Sequence, residues 1–265
     1  MPELDRPPLP AGALRRALIR PGGLWRRIDV LPETGSTNAD VAEAARRGEP
    51  EGLVVVAERQ VAGRGRRDRL WLSPPRAGLT FSVLLRPAVA QSTWSWLPLL
   101  AGVALCEAVD SGAALKWPND LLIGDAKCAG VLAEVVGDAV VLGIGLNVTT
   151  RPDELPPATS GPPPTSLLLA GATNTDRGAL LRSLLGGLAR WYAGWRAAGG
   201  AAEPSGLGDA YRKMCATIGR RVTIHLPTGD SLTGDAVTVD GDGQLVVHTG
   251  GGDRRVSAGD VLHIR

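Results

Sequence analysis

Few side chains in this sequence are placed to do ionic chemistry, and those few fall into four short runs. From Gln60 to Trp71 the chain reads QVAGRGRRDRLW, with Arg64, Arg66, Arg67 and Arg69 interleaved by Gly63 and Gly65. Arginine's planar fork pairs with carboxylate and phosphate, each sheltered charge-assisted hydrogen bond contributing about 1.5–3 kcal/mol. Glycine lets backbone amides approach a ligand closely. The same run also reads as a solvated charge cluster, and without GxxxxGK[ST] it is not a P-loop. Lys116-Trp117-Pro118-Asn119-Asp120 sets two adjacent polar side chains behind a proline: a plain Asx turn, or a geometry able to hold a ribose or a phosphate-bound metal. Lys127 heads the apolar run KCAGVLAEVV, where a buried ammonium needs a partner anion. In GIGLN, Gly143 and Gly145 bare one strand face, leaving room for a flat ligand or marking a bulge.

Scarcity sharpens these choices. Only three of the 29 basic residues are lysine (Lys116, Lys127, Lys213), so Lys127 stands out as a functional charge. Histidine occurs only at 225, 248 and 263, which bars a Ser-His-Asp triad or a histidine metal site from the first 224 residues; these three are read as structural. Three of the four asparagines (Asn38, Asn119, Asn147) lie in the polar motifs. The net charge of +2 predicts no general attraction to nucleic acid or anionic membrane, so any anion site is local. Three cysteines at unrelated spacings exclude a disulfide framework and point to a reducing, cytoplasmic setting. No apolar run reaches the ~18 residues of a membrane span.

The elements that must position these groups follow from periodicity. An amphipathic stretch at 14–18 sits in a Pro/Arg-rich lead, residues 1–24. A helix is expected from GSTNADVAEAARRG, with Thr37 and Asp40 as a capping box and Gly48 past its end. Strands are expected at 53–58 and 79–85, a helix at 93–109, and three antiparallel strands punctuated by Gly124-Asp125 and Gly137-Asp138 up to Val148. RPDELPPATSGPPPTS, with six prolines, reads as an extended loop, and 176–195 as a helix with a leucine-rich core stripe. From 217 onward short strands alternate with Gly/Asp turns, as in a small SH3-like barrel. The fold class is α/β (α+β): a large domain at 25–216 on a mixed, mainly antiparallel sheet, and an SH3-like barrel domain at 217–265.

Five motifs, GSTN (35–38), QVAGRGRR (60–67) with Trp71, KWPND (116–120), KCAGVLAE (127–134) and GIGLNV (143–148), occur in the order and spacing found in biotin protein ligases; TSL (165–167) also fits. The chain thus resembles that family from about residue 25 to its end. The resemblance implies two steps: ATP and biotin give biotinyl-5′-adenylate and pyrophosphate, then a lysine of a biotin carboxyl carrier domain takes the acyl group. It implies biotin contacts from Ser36, Thr37, Asn38, Gln60, Arg64, Gly65, Arg66, Lys127, Gly130, Gly143 and Gly145. Nucleotide contacts would come from Arg67, Arg69, Trp71, Asn119 and Asn147, with Trp71 stacking on adenine. Lys127 and Arg66 would act in catalysis, and Asp120 would assist deprotonation of the incoming lysine. Mg²⁺ would arrive with the ATP phosphates, and Asn119 and Asn147 would contact those phosphates or the ion.

Asp68 departs from the family's loop, which more often has glycine there, and bears on how fast the loop closes. The lead is too short for a DNA-binding winged helix, so neither nucleic acid nor membrane is expected as a partner. Two alternatives remain: a lipoate or octanoate ligase or transferase, and a nucleic-acid-binding protein using the arginine cluster.

Overall fold

The computed structural model describes residues 6–109, 112–157 and 161–264. A seven-stranded sheet carries the first four-fifths of the chain. It is built from β1 (Arg27–Leu31), β2 (Leu53–Ala57), β3 (Gly78–Leu85), β4 (Ala113–Lys116), β5 (Asp120–Ile123), β6 (Ala126–Val136) and β7 (Ala139–Asn147). Their spatial order is β1-β2-β3-β7-β6-β5-β4; only β1 and β2 are parallel, and every other pairing is antiparallel. β7 lies at the centre and is buried along its whole length, which explains its unbroken apolar and glycine composition.

The two faces of the sheet do different work. α1 (Ala11–Leu18), α3 (Trp96–Ala108), α4 (Arg177–Ala197) and α5 (Leu207–Met214) cover one face, meeting Leu142, Ile144 and Leu146 of β7 in the main core. α3 is apolar nearly all round because it is enclosed by sheet, α4 and α5. The opposite face receives one helix, α2 (Thr37–Arg46), whose Val41 and Ala45 pack on Val55, Leu84 and Val141. Beyond α2 that face is left open over Gly143, Gly145 and Gly130, and the pocket forms there.

The lead segment belongs to this body. Leu9 and Leu14 are buried in the main core, and Arg6 pairs with Glu154 at 2.6 Å. Glu58, just after β2, accepts from the Leu9 amide and from Arg177. That Arg177–Glu58 pair is almost fully buried, and losing one partner costs about 3–5 kcal/mol.

β8 (Arg221–His225), β9 (Ser231–Val239), β10 (Leu245–Thr249), β11 (Gly252–Val256) and β12 (Asp260–His263) form a second antiparallel sheet, ordered β11-β10-β9-β8-β12. β9 alternates buried and exposed residues, as a strand with one solvated face must. The barrel is docked firmly: the indoles of Trp96 and Trp117 donate to the Gly241 and Gly243 carbonyls, and the Trp117 amide donates to Thr217. The buried cluster runs unbroken from the large sheet into Val222, Ile224 and Val239.

Candidate active site

One end of the pocket is a hydrogen-bonding network of uncharged side chains backed by the Glu134 carboxylate. Residues 34–36 run beside 60–62: the Val61 and Ala62 amides donate to the Thr34 and Gly35 carbonyls, which brings Gln60 to the start of α2. Gln60 Oε1 accepts from the Thr37 amide at 2.8 Å and lies 3.0 Å from its hydroxyl. The chain continues through Thr37 Oγ1 to Ser82 Oγ (2.7 Å), Ser82 to Asn38 Oδ1 (2.5 Å), and Asn38 Nδ2 to Glu134 Oε2 (2.6 Å). This corrects the expected capping box. Ser36 is the N-cap and makes no side-chain cap, Thr37 is the first helical residue, and Asp40 instead accepts from Thr34. A tertiary partner, Gln60, satisfies the amide that a local cap would have taken.

The floor is set by glycines. A Cβ on Gly143 would lie 2.0 Å from Asn38 Oδ1, and one on Gly145 would lie 2.3 Å from Trp71 Cε2. The bare strand face expected at GIGLN is therefore occupied by the Asn38 amide and the Trp71 indole. Trp71 also reaches Gly130, and its Nε1 is buried without a hydrogen-bond partner.

The other end is ionic. Lys127 Nζ lies 2.6 Å from Asp120 Oδ1 and 6.0 Å from the Trp71 ring centroid. Lys116 Nζ lies 3.7 Å from Asp120 Oδ2 and is buried. Burial pushes the Lys116 pKa down, against the pull of Asp120 and with the push of Lys127. Arg66 Nη1 donates to Asn119 Oδ1 at 3.0 Å, and burial lowers its pKa too. Asn119 Nδ2 holds the Val131 carbonyl, and Asn147 Nδ2 the Thr165 carbonyl, so both amides are braced by backbone. The proline loop is zipped to β6 by Lys127 N to Pro163 O (2.7 Å) and Thr165 N to Lys127 O (2.8 Å). Cys128, behind Lys127, is a buried thiol pushed up to about 12 and is inert as a nucleophile.

A flap at 58–76 closes the site. Its feet join where the Arg76 amide donates to the Glu58 carbonyl, and its stem where Trp71 N donates to Gly63 O. Gly63 is required there, because a Cβ would sit 2.3 Å from the Trp71 carbonyl. At the tip Arg67 takes the left-handed region (φ 53°), costing about 1–2 kcal/mol. Arg64 reaches Glu134 at 3.7 Å, Arg67 pairs with Asp260 at 3.1 Å and donates to the His225 carbonyl, and Arg69 also pairs with Asp260. The Asp68 side chain lies outside the described residues.

Together these residues enclose a cavity of about 280 Å³. Ser36, Thr37, Asn38, Gln60, Arg64, Gly65, Arg66, Arg69, Trp71, Asn119, Asp120, Lys127, Gly130, Gly143, Gly145 and Asn147 all line it; of the residues singled out from the sequence, only Arg67 turns outward to the barrel. Lys116, Ser82, Glu134 and Asp260 were not foreseen. Lys116 carried a signal, being one of three lysines and part of KWPND. Asp260 carried none, since its partners lie more than 190 residues away.

Among the described residues no cluster of three His, Cys, Asp or Glu side chains could cage a metal. Asn119 Oδ1 is already engaged by Arg66.

Comparisons with known proteins bear on what fills the cavity. Residues 31–149 match the Biotin/lipoate A/B protein ligase family, and residues 217–263 match the Biotin protein ligase C terminal domain. The chain is 43% identical to the Biotin--[acetyl-CoA-carboxylase] ligase of Mycobacterium tuberculosis, over 98% of this chain and 97% of that protein. It is 31% identical to the Bifunctional ligase/repressor BirA of Bacillus subtilis, covering 88% of this chain and 72% of the relative. Among solved structures, biotin protein ligase from Aquifex aeolicus in complex with biotin and ATP aligns with a TM-score of 0.77 at 27% identity, over 91% of this chain and all of that one.

Proposed function

The chain belongs to the biotin protein ligase family, and from that premise we propose that this pocket makes biotinyl-5′-adenylate from biotin and Mg-ATP, then passes the biotinyl group to a lysine of a biotin carboxyl carrier domain. The single observation that carries the residue-level reading is the polarity of the cavity: a network of the uncharged Gln60, Thr37, Ser82 and Asn38 at one end, a Lys127–Asp120–Lys116 ion cluster at the other, and a glycine floor between them.

Biotin has matching parts. Its ureido ring is a planar group with two N–H donors and one carbonyl, suited to Ser36, Thr37, Asn38 and Gln60. Its valeryl chain crosses Gly143, Gly145 and Gly130, and its carboxylate arrives at Lys127. For that to happen the Trp71 indole must leave the floor, and it then offers a ring face to the adenine.

In the first step a carboxylate oxygen attacks the α-phosphorus, the Pα–O–Pβ bond breaks, and pyrophosphate leaves with the electron pair. Lys127 and Arg66 face the negative charge that gathers where carboxylate meets phosphate, in a sheltered site where such pairing is strong. In the second step Asp120 takes a proton from the acceptor's ammonium. The freed amine attacks the acyl carbon, the C–O bond of the anhydride breaks, and AMP departs with the electron pair as the amide forms, the nitrogen's second proton passing to the departing phosphate. No covalent enzyme intermediate is required, since positioning and charge neutralisation suffice for both steps.

The unpaired state of Cys106, Cys128 and Cys215 fits a cytoplasmic setting. No helix among the described residues is long and apolar enough to cross a membrane.

The deciding experiment is mass spectrometry of the purified protein mixed with biotin and Mg-ATP. Biotinyl-5′-AMP is expected with the wild type and lost at least a hundredfold in Lys127→Ala, while its melting temperature stays within a few degrees. Lipoyl-AMP in place of the biotin product, or undiminished adenylate in Lys127→Ala, would overturn the reading.

A further inference from the structure

Asp120 is held between two ammonium groups that come from different strands, Lys127 on β6 and Lys116 on β4. Their exposures differ. Lys127 keeps 28% of its side chain accessible, whereas Lys116, which also reaches the cavity wall, keeps 7% and meets the other carboxylate oxygen, Oδ2. An oxyanion that arrives at Lys127 competes with Asp120 for the same cation, and two anions on one ammonium repel each other. A second fixed cation on the far oxygen relieves that conflict. Stability does not explain the arrangement, because replacing a buried ion pair with apolar side chains of similar size is often neutral or favourable.

We propose that Lys116 is a positioning residue for the transfer step, holding the Asp120 carboxylate in place while Lys127 is occupied by the adenylate. The inference rests on the reading of Asp120 as the acceptor's base. The other groups facing this pair are Arg66 from the flap, Tyr211 from α5, and Asp260 and His263 from β12. None of them takes the place of Lys116. Arg66 donates to Asn119 and not to Asp120, Tyr211 is neutral, Asp260 is held by Arg67 and Arg69, and His263 is kept uncharged by burial.

The two half-reactions separate this role from a merely structural one. Adenylation is followed as pyrophosphate release from biotin and Mg-ATP. Transfer is followed in a single turnover from synthetic biotinyl-5′-AMP to a purified biotin carboxyl carrier domain. In Lys116→Met the transfer rate is expected to fall at least tenfold further than the adenylation rate, and Lys116→Arg, which keeps the charge, should regain most of that difference. Lys116→Gln serves the same comparison should the methionine variant not fold. Equal losses in both half-reactions, intact transfer, or no recovery with arginine overturns the proposal. Asp120→Asn identifies the level at which it fails: normal transfer there removes the base reading and Lys116's role with it, whereas slow transfer there beside normal transfer in Lys116→Met removes Lys116's role alone.

Discussion

At the scale of single residues, the site depends as much on missing side chains as on present ones. Gly143 and Gly145 face the pocket because β7 alternates, sending Leu142, Ile144 and Leu146 to the core and the glycines to the open face. Gly143→Ala would put a methyl group onto Asn38 Oδ1 and dislodge an amide that Ser82 and Glu134 otherwise hold. We expect the KM for biotin to rise at least tenfold while the KM for ATP moves less than threefold, as steady-state kinetics with each substrate varied would measure. A larger change in the KM for ATP would place the biotin ring elsewhere. The rare residues were legible at this scale: Lys127, Asn38, Asn119 and Asn147 were marked by scarcity, and all four line the cavity. Lys116 shared the same scarcity, but the ion pair that gives it meaning forms only when β4, β5 and β6 lie side by side.

At the scale of elements, the flap is the part whose sequence and conformation most plainly disagree with rest. Its arginines are paired with Glu134, Asn119 and Asp260, yet its turn holds a left-handed Arg67 and its Trp71 lies where the ligand chain is proposed to run. Such an element exchanges internal partners for ligand ones at modest cost. Arg66→Gly removes the contact to Asn119 and frees the turn further. Adenylate should then dissociate at least tenfold faster, and incubation with biotin and ATP should label bystander proteins, as a streptavidin blot would reveal; tight retention would refute the closing role. The elements themselves were mostly readable, since a buried central strand, an enclosed helix and a proline-rich loop each have a composition that only one environment accommodates. The start of α2 was not, because its amide is satisfied by Gln60 from another segment, whereas sequence spacing reveals only local caps.

At the scale of the whole molecule, the barrel and the catalytic body share one core and touch at the site through Asp260 and His225. Asp260→Ala releases Arg67 and Arg69 together, and we expect the KM for ATP to change severalfold with little change in melting temperature, because these exposed pairs contribute about 1 kcal/mol or less; an unchanged KM would make the link ornamental. His263 bonds Thr217, which in turn holds the Trp117 amide beside Lys116. Burial, then the charges of Lys116 and Arg220, press its pKa down to about 4. The unfolded chain binds that proton near the ordinary histidine value of ~6.5, so stability is whole above that pH and drains away as pH falls toward 4. His263→Asn should flatten this part of the curve of melting temperature against pH, and an unaltered slope would exclude His263 as its source. By itself the sequence determined the fold class, because burial and turn chemistry leave marks within short stretches of chain, and its five motifs carried the family resemblance and through it most of the polar residues of the pocket. Only the tertiary structure decided which partner each charge holds: the Asp120 pair of lysines, the Asp260 tether of the flap and the Gln60 cap on α2 all join segments that spacing cannot relate, since an ion pair or hydrogen bond depends on distance in space and not along the chain.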